Sequence, residues 1–250
     1  MISLSIVSHG HGRLVSELLA DLVEIARETP LEVILTVNVP DGTGPLGLPA
    51  GLSGRIIENA VPFGFGHNHN NAFLAATGDQ FCVLNPDLRM TTNPFPPLLN
   101  HLRTTGAALV APAVFAPNGN VEDSARHFPT PWSLVQRYTA GDSGRYSVAA
   151  AGTPLAVDWI AGMFMLFSRD AFISTNGFDE RFFLYCEDVD ICARLRSRGG
   201  EIYICPQAAV VHDARRESRR SWRYFRWHIA SYLRLFWLHP RWPAVPKTYP

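Results

Sequence analysis

Short, apolar-rich segments alternate with a helical stripe between Ile2 and Asp87, and no other feature constrains the fold as tightly. Residues 3–7 form an apolar strand that ends in the turn Ser8-His9-Gly10-His11-Gly12. Leu14, Leu18, Leu22 and Ile25 then recur at the spacing of one helix face. Residues 32–37 predict a second strand, which runs into a turn-rich stretch over 38–49. A third strand is expected over 55–59, a loop at Gly64-Phe65-Gly66, and a helix over 71–76. The buried strand 81–84 stops abruptly at Asn85-Pro86-Asp87. Strands and helices in this order predict βαβ units and an α/β fold on a parallel sheet. Ligands of such sheets bind at the carboxyl ends of the strands, where Ser8, Asn38 and Asp87 fall.

Beyond Asp87 the pattern changes. A strand is expected over 107–114, an irregular Pro/Gly-rich stretch over 117–151, and a long apolar segment over 158–168. A helix over 187–198 and strands over 202–205 and 208–211 follow. With 250 residues, 47% hydrophobic and 18% charged, the chain can bury a real core in one large domain with an appendage. Its formal net charge of zero gives no global reason to expect a nucleic-acid partner. Cys82, Cys186, Cys192 and Cys205 show no CxxC spacing and read as reduced, buried thiols, which suits a cytoplasmic protein. The amino-terminal residues do not read as a signal peptide, and no apolar run reaches the ~18 residues of a membrane span.

Three places carry chemistry. Asp87 follows a buried strand and is fixed by a proline, so its carboxylate projects at the sheet edge, where a hard divalent cation finds oxygen ligands. Asn-Pro-Asp is also ordinary turn chemistry. From Gly177 to Asp190, acids surround an aromatic cluster and then open a helix. Helix capping accounts for one or two of them. The aromatic wall of Phe183 and Tyr185 would desolvate a carboxylate and make it a better base. His212 closes the last apolar run; alone it reads as packing or surface. His67 and His69 read as solvated loop histidines.

Taken together and in order, Gly64-Phe65-Gly66…Asn70, Asn85-Pro86-Asp87, Trp159-Ile160-Ala161-Gly162, Gly177-Phe178-Asp179-Glu180-Arg181-Phe182-Phe183, Glu187-Asp188-Val189-Asp190…Arg194 and His212 resemble glycosyltransferase family 2, nearest its bacterial rhamnosyltransferase-like branch. The resemblance implies a GT-A fold with a Rossmann-like, mostly parallel sheet. It divides the chain into a nucleotide-sugar-binding half over 1–90, an acceptor-binding half over 91–213 and a tail over 214–250. It also implies an inverting enzyme. Asp188 matches the catalytic base, Asp87 the last acid of a metal motif, and His212 the histidine that reaches metal and diphosphate, with Mg²⁺ or Mn²⁺ as cofactor. Asn85 stands where many members carry an acid. Ser8, Asn38, Asn70 and Asn85 fall on the donor side. Trp159, Gly162, Tyr185, Glu187, Asp190 and Arg194 fall where acceptor or support is expected. The implied donor is deoxythymidine-diphosphate rhamnose, with UDP- and GDP-sugars as alternatives. The implied acceptor is a glycan carried on a polyprenyl diphosphate, as in cell-surface polysaccharide synthesis. Thr36-Val37-Asn38-Val39-Pro40-Asp41 has no carboxylate directly before Asn38, so either the Asn38 amide or Asp41 does that work. The competing reading is a family member that binds nucleotide or glycan without turnover.

Eight arginines face one acid, Glu217, between Arg215 and Arg241. On a helix, Trp222, Phe225, Ile229, Leu233 and Phe236 fall on one stripe, with arginines beside it. Such a helix either packs its stripe on the domain or lies in a membrane interface, which would make the protein peripheral on the inner face of the cytoplasmic membrane. Some of these arginines, with Ser218, could instead bind diphosphate.

Overall fold

A computed structural model describes residues 1–42, 44–139, 144–148, 152–213 and 222–243; Ser218 and the four arginines before α7 lie outside them. The first half contains β1 (Ile2–His9), α1 (Gly12–Ala26), β2 (Leu31–Val39), β3 (Ser53–Glu58), α2 (Phe65–Ala75) and β4 (Gln80–Leu84). Then come β5 (Leu88–Arg89), α3 (Phe95–Thr105), β6 (Leu109–Phe115), β7 (Ala125–Arg126), α4 (Pro131–Thr139), β8 (Leu155–Ala156) and β9 (Trp159–Ile160). The chain continues through β10 (Phe164–Ser168), α5 (Arg169–Ser174), α6 (Glu187–Ser197), β11 (Ile202–His212) and α7 (Trp222–Leu238).

A nine-stranded sheet runs β3-β2-β1-β4-β10-β6-β11-β5, with β8 beside β11. Strands β3, β2, β1 and β4 are parallel, as the alternation requires. Strand β10 runs antiparallel between β4 and β6 and joins the two halves. Its Phe-Met-Leu-Phe run is fully buried because both faces of the sheet are covered there. On α1, Leu14, Val15, Leu18, Leu22 and Ile25 are buried, so the predicted stripe is the packed face.

Three local expectations change. The stretch read as irregular over 117–151 contains helix α4. The Gly64-Phe65-Gly66 segment is not a loop: Gly64 is the N-cap of α2, and the helix starts at Phe65, six residues before the expected start. A side chain at Gly66 would meet the Phe178 Cβ at 2.8 Å, so the glycine lets this helix sit against the 177–180 segment. The two strands expected over 202–211 are one, β11, with a register shift between Cys205 and Ala209 where it pairs with β6. Pro112 stands opposite Cys205 and Pro206 follows it. Neither proline has an N–H for the ladder, so the pairing breaks there and resumes. The four cysteines are free and buried.

Candidate active site

Strand β4 ends at Leu84, and the chain turns through Asn85-Pro86-Asp87. Strand β11 ends beside it at His212, paired with Leu88. The Asp213 N–H donates to the Asp87 carbonyl (3.0 Å), which ties the two ends together. The sheet thus brings His212 Nε2 to 3.2 Å from Asp87 Oδ2, although the two residues are 125 positions apart in the sequence. Burial works to lower the His212 pKa, but the hydrogen bond and charge of Asp87 outweigh it, and the net shift is upward.

Asp87 Oδ1 and His212 Nδ1 are buried without a hydrogen-bond partner. Native interiors rarely leave such atoms unpaired, so they point to a missing partner. One carboxylate and one imidazole fit a divalent cation whose other positions are filled by phosphate oxygens and water. Among the described residues no three His, Cys, Asp or Glu side chains converge into a ready-made cage, so the protein offers only part of a coordination shell.

Asp188 occupies the first turn of α6. Its Oδ1 accepts from the Val189 N–H (2.8 Å) and its Oδ2 from the Gly162 N–H (3.1 Å). Burial raises its pKa; these amides and the Arg126 charge oppose the rise. Glu187 beside it is buried, its Oε2 has no partner, and burial followed by the Asp188 charge drives its pKa well above the ordinary value. Two adjacent carboxyls are therefore pushed apart: Glu187 keeps its proton more readily, and Asp188 is the better anion. The Asn85 N–H donates to the Met163 carbonyl (2.9 Å). The turn over 161–163 consequently touches both the Asp87 loop and Asp188.

Several predicted site residues do other work. Asn38 is buried, and its amide is consumed by the Phe63 N–H and C=O (2.9 Å each), Asn59 (2.7 Å) and His9 (2.6 Å). Asp41 accepts from the Gly12 N–H (2.9 Å) at the start of α1. Ser8 is buried, with its Oγ accepting from the His11 N–H (3.4 Å). Asn70 clamps the 178–180 segment, donating to the Phe178 carbonyl and Glu180 Oε1 and accepting from the Phe178 N–H (2.9 Å each). With Arg194, Asn71 and Thr175 it lines a cleft of about 630 Å³ that does not include Asp87, Asp188 or His212.

Asp190 is buried between Arg194 (2.7 Å) and His239 Nε2 (2.8 Å), and Arg194 also donates to the Gly177 carbonyl (2.8 Å). Both are supports of α6. The Trp159 indole N–H donates to the His127 carbonyl (3.0 Å).

The aromatic wall needs correcting too. The Phe183 ring lies 4.8 Å from Trp227 and the Tyr185 ring 4.4 Å from His228, both tilted, so both pack against α7. Nor are the two histidines at 67 and 69 loop residues: both lie on α2. His69 is buried against Ser5 Oγ (2.7 Å), with its pKa lowered to about 3 by burial, and His67 pairs with Glu180 (2.7 Å). Sequence reasoning missed Arg126, which stands in the irregular stretch, ion-paired to Asp123. Only the i,i+3 spacing of the two could have suggested it.

Comparison with known proteins places this geometry. Residues 2–232 match the model of a family described as glycosyltransferase like family 2. The chain is 29% identical over 245 residues to rhamnosyltransferase WbbL of Escherichia coli, covering 94% of this chain and 92% of the relative. It is 26% identical over 276 residues to the N-acetylglucosaminyl-diphospho-decaprenol L-rhamnosyltransferase of Mycobacterium tuberculosis, covering 97% and 86%. Two solved structures share the fold at 16% identity. One is GalNAc-T7 with UDP, GalNAc and Mn²⁺, at TM-score 0.66, where the match covers 88% of this chain and 44% of that one. The other is the mannosyltransferase PcManGT of Pyrobaculum calidifontis with GDP-Man and Mn²⁺, at TM-score 0.63, covering 97% and 65%. The chain thus spans under half of the first and just under two thirds of the second. The fold is GT-A.

Proposed function

We propose that this chain, which belongs to the glycosyltransferase like family 2, transfers a sugar from a nucleoside diphosphate to a hydroxyl of a lipid-linked glycan, with inversion at the anomeric carbon. L-rhamnose is the favoured sugar and deoxythymidine diphosphate the favoured carrier, with UDP- and GDP-sugars next. The activities for which the two relatives are named support the sugar, and that of the second supports a polyprenyl-diphosphate acceptor. One observation carries the reading: the Asp188 carboxylate is held by two backbone N–H groups, across the 161–163 turn from the Asp87–His212 pair.

Each Asp188 oxygen keeps a lone pair beyond its amide hydrogen bond, so the carboxylate can take the proton of an acceptor hydroxyl. The hydroxyl oxygen then bonds to the anomeric carbon as the bond to the diphosphate oxygen breaks. A single displacement of this kind inverts the centre. Asp87 and His212 would hold Mg²⁺ or Mn²⁺, which as a Lewis acid neutralises charge on the leaving diphosphate. Residues 1–90 supply the donor side, where Asn85 faces the diphosphate and Ser8, Asn38 and Asn70 shape the loops around it. Residues 91–213 supply the acceptor side, with Trp159 and Gly162 on the base's flank. Among the described residues no helix is long and apolar enough to cross a membrane.

Thermal shift with nucleoside diphosphates tests the donor site. With Mn²⁺, a cognate nucleotide at a hundred times its Kd should raise the midpoint by about 5 °C or more. Chelation, Asp87→Ala or His212→Ala should remove that rise. Equal stabilisation in all of them would overturn the assignment.

A further inference from the structure

Helix α7 has two apolar faces, and the described residues pack against only one of them. Inward, Leu235 is fully buried, Ser231 Oγ donates to the Leu184 carbonyl (2.9 Å), and Trp227 and His228 carry Phe183 and Tyr185. The chain past its end brings His239 to Asp190. Outward, Ile229, Leu233 and Trp237 are 46%, 68% and 75% exposed. Their i, i+4, i+8 spacing makes them one stripe along the helix. Arg226, Arg234 and Arg241 are exposed as well, and the Arg234 guanidinium donates to the Arg181 carbonyl. Of the stripe read from the sequence, Ile229 and Leu233 therefore face away from the domain, and Trp222 and Phe225 have side chains outside the described residues.

We propose that this outward stripe docks on an anionic lipid bilayer. Three large exposed side chains in a row, ending in tryptophan, suit burial at the headgroup boundary, where an indole is at home. Charge decides between a bilayer and a second copy of the chain. Residues 215–241 hold eight arginines and one acid, so two copies meeting on this helix would oppose like charges. An anionic surface complements them, and each arginine near it adds to the attraction. Exposure of this kind is costly in a protein that stays in bulk water. The inner face of the same helix holds residues 183–185, which lead directly into α6 and Asp188. Tyr185 and Cys186 there are left-handed, with φ of 74° and 70°, so the approach to the base is a strained turn braced by α7. A bilayer against the outer face would thus lie one helix diameter from the segment that carries the base. The purpose of docking rests on the reading of a lipid-linked acceptor; the surface itself does not.

The test is flotation of the full chain with vesicles of phosphatidylcholine alone or mixed with phosphatidylglycerol, with no sugar donor present. The wild type should bind the anionic vesicles about tenfold or more tightly than the neutral ones, and the difference should shrink with salt. Combined Ile229→Ser, Leu233→Ser and Trp237→Ser should weaken that binding about tenfold or more. Because the three side chains are exposed, nucleotide-induced thermal stabilisation should survive and report an intact fold. Three results would overturn the proposal: no binding by the wild type, binding untouched by the triple change, or a dimer that the triple change dissolves while vesicles go unbound. Sugar transfer that persists alongside any of these would leave the enzymatic reading standing, and vesicle binding without turnover would leave the docking standing.

Discussion

The backbone N–H of Gly162 donates to Asp188 Oδ2 at 3.1 Å, so a turn between two short strands holds the carboxylate that opens α6. Replacing the glycine tests that hold. A Cβ at position 162 would meet Phe65 Cζ at 3.0 Å, so the turn must shift or the ring must give. Gly162→Ala should therefore weaken the hydrogen bond and lower turnover about tenfold to a hundredfold. Because this bond favours the charged form, its loss should also move the acid limb of the kcat–pH profile upward. An unchanged profile would show that the contact is incidental.

Glu187 adjoins Asp188, the proposed base. Its carboxyl is buried and its pKa lies well above the ordinary 4.5, so the folded protein binds this proton more tightly than the unfolded chain does. The stability linked to that proton is complete below pH 4.5 and is lost as pH climbs toward the folded pKa. Glu187→Gln removes the linkage. The thermal midpoints of variant and wild type should be close at acid pH, and the variant should pull ahead as pH rises. Turnover should stay within about tenfold, since a residue that keeps its proton is not the base. Loss of all activity would exchange the roles of the two carboxyls.

Asn38 supports the loop between β3 and α2 through hydrogen bonds to Phe63 and Asn59. Asn38→Ala would strand buried backbone groups at a cost of about 2 kcal/mol. The midpoint should fall about 4–8 °C, before any effect on donor affinity. A raised KM with an unchanged midpoint would return Asn38 to direct nucleotide contact.

What the sequence revealed and what it hid divide along physical lines. Strands β1, β2 and β4 were legible because each is buried on both faces and is therefore dominated by apolar residues. Their carboxyl ends located Asp87, and the resemblance of the acidic segment singled out Asp188. Hydrogen-bond partners were not legible. The Asn70 amide spends itself on Phe178, 108 positions away, and no local pattern encodes such a pairing. The start of α2 was missed because glycines at 64 and 66 read as loop, whereas one caps the helix and the other makes room for Phe178. Helix α7 misled for a related reason. With apolar residues on both sides, periodicity found a stripe but could not say which face would pack.

The most direct test of the account is Asp188→Asn, assayed for turnover of deoxythymidine-diphosphate rhamnose with Mn²⁺ alongside donor binding by calorimetry. The amide keeps the shape of the side chain but cannot accept the proton. Turnover should fall about 10²- to 10⁴-fold while donor affinity stays within about twofold. Near-normal turnover with intact donor binding would contradict the assignment of Asp188 as the base.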